Sequence, residues 1–209
     1  MNIYPLKFRP ILKEKIWGNG RIADFFGKEV PHDKSIGESW EITDLPDNKS
    51  VIINGEFKNK TLHEIIGMFP GQITGRPSIS NFPLLIKFID AADFLSVQVH
   101  PDAETCKRQA KGSPKSECWY IIDCEEDSCI YKGLKKGVTK EQFIKAIENG
   151  TCEQLLRRVN VKKGECHYLP AGTVHAIGPG LLIAEIQTPS DTTYRVFDWN
   201  RTDSKGISR

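Results

Sequence analysis

At 209 residues, with 39% hydrophobic and 27% charged side chains, the chain has enough apolar material for one substantial globular domain and too much for a disordered polymer. Its formal net charge of +2, with no Lys/Arg block, excludes an electrostatic case for nucleic acid or for an anionic membrane. No apolar run is long enough to span a bilayer, and Met1 to Pro10 lacks the apolar core of a signal peptide, so a cytoplasmic protein is expected.

Turn residues punctuate an alternating pattern, which predicts mainly β structure. In chain order the strand candidates are Glu38 to Thr43, Val51 to Ile53, Leu84 to Ile89, Phe94 to His100, Glu117 to Ile122, Cys166 to Leu169, Leu181 to Gln187 and Thr193 to Trp199. Three short helices interrupt them. Thr61 with Glu64 makes a capping-box pattern ahead of Ile65, Ile66 and Phe69. Asp102 is placed to cap a polar helix ending near Gly112. Thr139 with Gln142 opens a third helix with Phe143, Ile144 and Ile147 as its stripe and Gly150 as its stop, and Thr151 to Arg157 reads as its continuation. Pro70 to Asn81 is the loosest stretch, and no internal repeat is evident. The six cysteines form no C-x-x-C pair and read as reduced thiols.

Three segments carry candidate chemistry. Gly164-x5-Pro170-x-Gly172-x2-His175 reads as strand, turn and return strand, with His175 entering the return strand. This spacing resembles the second motif of the cupin barrels, without its usual later Asn. Such a hairpin directs an imidazole into a barrel mouth; a core histidine with a hydrogen bond is the plainer alternative. In Phe94 to Asp102, alternation puts Ser96, Gln98 and His100 on one face and Leu95, Val97 and Val99 on the other. That pattern fits a wet cavity on one side and a packed layer on the other, although a solvent-facing strand gives the same alternation. In Lys115 to Ile122, Lys115 and Glu117 lead into an apolar strand. His100, Glu117 and His175, with Gln98 as a fourth, make a nitrogen and oxygen donor set for one divalent cation. Zinc leads, with manganese, iron or cobalt also compatible because no thiolate is included.

These residues also resemble the type I mannose-6-phosphate isomerases, or phosphomannose isomerases. The resemblance runs from Ile36-Gly37-Glu38-Ser39-Trp40-Glu41-Ile42 through Phe82 to Ala91 and the three segments above. It ends with Glu185-Ile186-Gln187-Thr188-Pro189-Ser190-Asp191 and Thr193 to Arg201. It implies a cupin-like β-barrel (jelly roll) with a few short helices. The expected organisation is one catalytic domain over 1–209, with an N-terminal extension (1–81) packed on it and without the second C-terminal barrel half of the family. By the same resemblance Gln98, His100, Glu117 and His175 match the metal ligands, one Zn2+ per chain. Arg195 matches a catalytic arginine, Lys115 and Glu185 match proton-handling residues, and Ser96 and Arg201 fall where substrate phosphate is contacted.

The implied reaction interconverts mannose 6-phosphate and fructose 6-phosphate through an enediol. Its difficulty is removing a carbon-bound proton while charge builds on oxygen, which a cation or Arg195 would stabilise. Lys115 and Glu185 stay open as the base: a nearby cation lowers an amine pKa, and burial raises a carboxyl pKa. Asp191 and Asp203 are placed to pair with Arg195 at a rim instead. A non-catalytic cupin that binds a sugar phosphate is the alternative, and a cupin metal-dependent oxygenase has less support. The expected partner is a sugar phosphate, with neither nucleic acid nor membrane; oligomeric state is left open.

Overall fold

The structure, a computed structural model, describes residues 2–31 and 33–202. It is mainly β, with antiparallel pairing throughout its ladders. The strands are β1 (Ile11–Glu14), β2 (Ile36–Ile42), β3 (Asp44–Leu45), β4 (Asn48–Lys49), β5 (Leu85–Ala91), β6 (Val97–Val99), β7 (Glu117–Cys124), β8 (Cys129–Leu134), β9 (Leu156–Asn160), β10 (Cys166–Leu169), β11 (His175–Ile177), β12 (Leu181–Gln187) and β13 (Tyr194–Phe197). The helices are α1 (Arg21–Phe26), α2 (Leu62–Met68), α3 (Ala103–Gln109) and α4 (Lys140–Glu148). Among the described residues no helix is long and apolar enough to cross a membrane.

Two sheets form the body. One has six strands in the order β1-β2-β5-β12-β7-β10, the other five in the order β13-β6-β11-β8-β9. A core that includes Ile89, Leu95, Trp119, Ile121, Ile130, Ile177 and Ile183 packs their facing sides together. Strand alternation supplies it: in β12, Leu181, Ile183, Glu185 and Gln187 are buried on one face, while Ala184 and Ile186 on the other are half-buried. The inward face therefore changes character along its length, from aliphatic at Leu181 to polar at Glu185. That polar end is where the site forms.

The helices pack outside. Thr61 and Thr139 each complete a capping box, with Glu64 and Gln142 respectively, and the Asp102 side chain accepts from Thr105 N. Phe143 and Ile147 of α4 pack on a second cluster with Val97, Tyr131 and Leu156. A separate cluster of Ile52, Phe57 and Ile65 gathers Ile3, Tyr4, Leu6 and Phe8 beneath α2.

Several expectations need correction. Thr151 to Arg157 does not continue the helix: a 3-10 turn spans Cys152–Leu155, and Leu156 begins β9, which pairs with β8. Leu156 packs in the cluster under α4 while Val159, three residues on, packs against the inter-sheet core, so the two apolar residues anchor β9 on different sides. Phe94 to Ser96 precede β6 rather than belonging to it, and Val51 to Ile53 make only isolated bridges.

Candidate metal centre

His100, Glu117 and His175 come from both sheets. Glu117 opens β7 in the six-stranded sheet, His175 opens β11 in the five-stranded one, and His100 follows directly after β6. One potential ligand atom from each lies within 4.8 Å of the others, and all three residues are buried. Glu117 Oε1 is 3.0 Å from His100 Nε2, and Oε2 is 3.7 Å from His175 Nε2.

Each imidazole has its other nitrogen fixed by the backbone. His100 Nδ1 donates to Thr192 O at 3.0 Å, and His175 Nδ1 to Thr173 O at 2.8 Å. This selects the tautomer whose Nε2 lone pair points to Glu117. His100 Nε2 and Glu117 Oε2 are buried with no hydrogen-bond partner among the described residues. Buried polar atoms are seldom left that way without a further ligand. Two neutral nitrogens and a carboxylate, with lone pairs converging, have the chemistry of a divalent cation site. The centre fits a metal ion.

The local turn explains how His175 arrives there. Pro170 to Gly172 reverse the chain between β10 and β11, with Gly172 at φ +84° and Thr173 N bonded to Pro170 O at 3.1 Å. Gly172 N also donates to His100 O at 2.8 Å, so the turn is fastened to the other histidine's backbone.

The centre sits at the edge of a cavity of about 440 Å³ lined by Gln98, Glu117 and His175. Gln98 is the register partner of both His175 and Arg195. Its Nε2 donates to Ser96 Oγ at 3.0 Å, which leaves the amide oxygen as the atom able to ligate a cation. Lys115 is buried, with Nζ 2.6 Å from Glu117 Oε1. Arg195 is exposed at the cavity lining, while Arg201, also lining it, is held by Asp198 and by Asp93 Oδ2 at 3.2 Å. Arg201 Nε is buried and has no hydrogen-bond partner among the described residues. Asp191 lines the same cavity; Asp203 lies outside the described residues.

Glu185 belongs to a row that crosses the six-stranded sheet. In register, Trp40 faces Lys87, Lys87 faces Glu185, and Glu185 faces Trp119. Lys87 Nζ is 2.9 Å from Glu185 Oε1 and 3.7 Å from Glu38 Oε2, while Lys15 Nζ is 3.3 Å from Glu38 Oε1. Trp119 Nε1 donates to Glu185 Oε2 at 2.8 Å, and Trp40 Nε1 to Glu38 Oε2 at 2.7 Å. Glu38, Lys87 and the two tryptophans escaped the sequence reading as site residues. The available signal was Lys87 itself, a cation at an inward position of a strand whose neighbouring inward positions are Leu85 and Ile89.

Charge follows this packing. Burial pushes the Glu117 carboxyl up, but the His100 contact, Lys115 and His175 together hold it well below the carboxylate range. Burial lowers the His175 imidazole to about 4, so it is neutral and able to ligate. Burial and the nearby Glu117 charge raise the Glu185 carboxyl despite Lys87. At Glu38 burial is outweighed by Lys87, Lys15 and the Trp40 hydrogen bond, and the carboxyl falls to about 2.

The profile of the family described as "Phosphomannose isomerase type I, catalytic domain" matches residues 6–116. The chain belongs to the type I phosphomannose isomerase family. It is 45% identical over 214 residues to mannose-6-phosphate isomerase ManA of Bacillus subtilis, covering 100% of this chain and 65% of that relative. A crystal structure of the mannose 6-phosphate isomerase from Bacillus subtilis superposes with a TM-score of 0.87 at 40% identity, covering 98% of this chain and 65% of that one. The chain thus spans just under two thirds of the length of these relatives. A zinc-bound mannose 6-phosphate isomerase shares the fold at 14% identity, with a TM-score of 0.70 over 97% of this chain and 76% of that one.

Proposed function

We propose that this chain is a cytoplasmic isomerase that interconverts mannose 6-phosphate and fructose 6-phosphate, with one zinc ion per chain held by Gln98, His100, Glu117 and His175. The observation that carries the reading is the buried convergence of two imidazole Nε2 atoms on one carboxylate, with both Nδ1 atoms already engaged. Family membership supports the substrate pair, and the zinc-bound structure of the same fold supports the metal.

When bound, the cation supplies Lewis acidity beside a sugar oxygen. The remaining work belongs to the protein. A proton must leave one carbon and reach its neighbour, and two groups at the cavity can carry it. Glu185 has a raised carboxyl pKa and is oriented by Lys87 and Trp119. Lys115 is buried against Glu117. Wash-in of solvent deuterium at carbon 2 of mannose 6-phosphate separates them: the base is the residue whose variant, Glu185→Gln or Lys115→Met, loses the exchange.

Arg195, at the cavity lining, stabilises negative charge developing on the enediolate. Ser96 and Arg201 receive the phosphate. Arg201 is already paired with Asp93, an exposed carboxylate, so substrate binding there exchanges a solvated aspartate for phosphate.

The test is conversion of fructose 6-phosphate by the zinc-loaded chain, with a chelator control. Turnover that is abolished by chelation and restored by zinc is expected. Arg195→Ala should lower kcat by about 100-fold or more while bound zinc stays unchanged. Saturable sugar-phosphate binding without turnover by the loaded chain contradicts the proposal and leaves a non-catalytic binding module.

A further inference from the structure

Two thiols meet on the outer face of the six-stranded sheet, away from the cavity. Cys118 is the second residue of β7 and Cys166 the first of β10, the edge strand beside it. In register Cys118 lies opposite Tyr168 and Cys166 opposite Tyr120, which makes the cysteines diagonal neighbours on one face. Their Sγ atoms are 3.2 Å apart, against about 2.05 Å in a disulfide. Cys166 is exposed and Cys118 half-buried. The other four cysteines lie elsewhere: Cys106 is in α3, Cys129 and Cys152 are buried in the cluster under α4, and Cys124 Sγ faces Val161 O.

We propose that Cys118 and Cys166 are a paired oxidation site that closes to a reversible intrachain disulfide. The sulphurs must approach by about 1 Å more, and β10 is suited to that movement because it has a strand neighbour on one side only. The co-reactant is a low-molecular-weight disulfide such as oxidised glutathione. The exposed Cys166 thiolate attacks one of its sulphurs, breaking that S–S bond and releasing one glutathione thiolate. Cys118, as its thiolate, then attacks Cys166 Sγ in the mixed disulfide. The Cys118–Cys166 bond forms and the second glutathione leaves. Two protein thiols are oxidised, one glutathione disulfide is reduced to two thiols, and the protons pass from the cysteines to the leaving groups.

The consequence is a clamp on the sheet edge. β10 spans four residues and runs directly into the turn that delivers His175. Tying it to β7 restrains fraying of that edge, as a cross-link between segments distant in sequence restrains the open state.

The test uses the full zinc-loaded chain, incubated with oxidised glutathione, alkylated, and digested without reduction. The expected product has lost the mass of two hydrogens, yields one linked peptide containing Cys118 and Cys166, and reverts with dithiothreitol. Amide hydrogen exchange across Cys166 to Leu169 should slow in the oxidised form. Cys166→Ser, at the exposed position, should abolish the mass loss, and so should Cys118→Ser. A stable glutathione adduct on Cys166 with Cys118 still open to alkylation overturns the proposal. A cross-link through another cysteine, or between two chains, overturns it as well.

Discussion

His100 and His175 are poised as candidate ligands by what their Nδ1 atoms do, because each bond to a backbone carbonyl fixes which nitrogen carries the lone pair. Glu117 is the group on which both converge, and Lys115 is its counter-charge. Glu117→Gln keeps the shape and removes the charge; zinc affinity should fall by more than about 100-fold, read by titration against a chromophoric chelator. Unchanged affinity would move the metal elsewhere. Glu38 makes a different prediction. Its folded-state pKa of about 2 lies below the ordinary 4.5, so its ion pairs contribute stability in full above pH 4.5 and lose it as pH falls towards 2. The contribution is on the order of 3 kcal/mol. Urea unfolding of the chain and of Glu38→Gln should therefore differ most near neutral pH and converge as pH falls towards about 2. Arg201 gives a third: Asp93→Asn frees the guanidinium from its exposed partner, so KM for fructose 6-phosphate should fall a few-fold with kcat little changed. The donor residues were legible in the sequence because strand alternation and the turn spacing put them on common faces. The partnership of Glu38, Lys87 and Glu185 was not, since it depends on cross-strand register across three strands.

At the scale of elements, the turn over Pro170 to Gly172 does the most to place the centre. Gly172 sits at φ +84°, where a side chain meets no neighbouring atom but the backbone is disfavoured for an L residue. Gly172→Ala should cost roughly 1–2 kcal/mol, seen as a lower unfolding midpoint, and should weaken zinc binding because the turn also bonds to His100 O. β10 and β12 matched their sequence-derived limits, since both are bounded by turn residues. β8 and β9 did not announce themselves. Cys129 to Leu134 contains Gly133, and Leu156 to Asn160 places two arginines between its apolar residues, so neither has the run of β-formers that marks a strand. They are strands because they pair with each other and because β8 also pairs with β11. Tertiary pairing outweighed local preference there. β6 shows the converse: seven residues alternate, yet only Val97–Val99 join the ladder between β11 and β13.

Across the whole molecule, the aliphatic part of the inter-sheet core lies at one end and the polar row at the other, so the cavity opens where hydrophobic packing gives way. The candidate metal ligands come from both sheets, and a bound cation would fasten them at this less apolar end. A ligand that binds only the folded state stabilises it in proportion to the logarithm of its free concentration over Kd, about 4 kcal/mol at a thousandfold excess. Stripping the metal should therefore lower the thermal midpoint by several degrees, and readdition should restore it. The mainly β architecture was legible from alternation and turn punctuation. The two-sheet order was not, because β1 and β2 join the six-stranded sheet beside β5 through long-range pairing that no local pattern encodes.

Anomalous diffraction at the zinc edge, from crystals of the zinc-loaded chain, tests the central claim most directly. One peak is predicted, about 2.0–2.2 Å from His100 Nε2, His175 Nε2 and a Glu117 carboxylate oxygen, with the Gln98 amide oxygen completing the set. A peak that excludes any of the two histidines or Glu117, or no peak in the cavity at all, would contradict it.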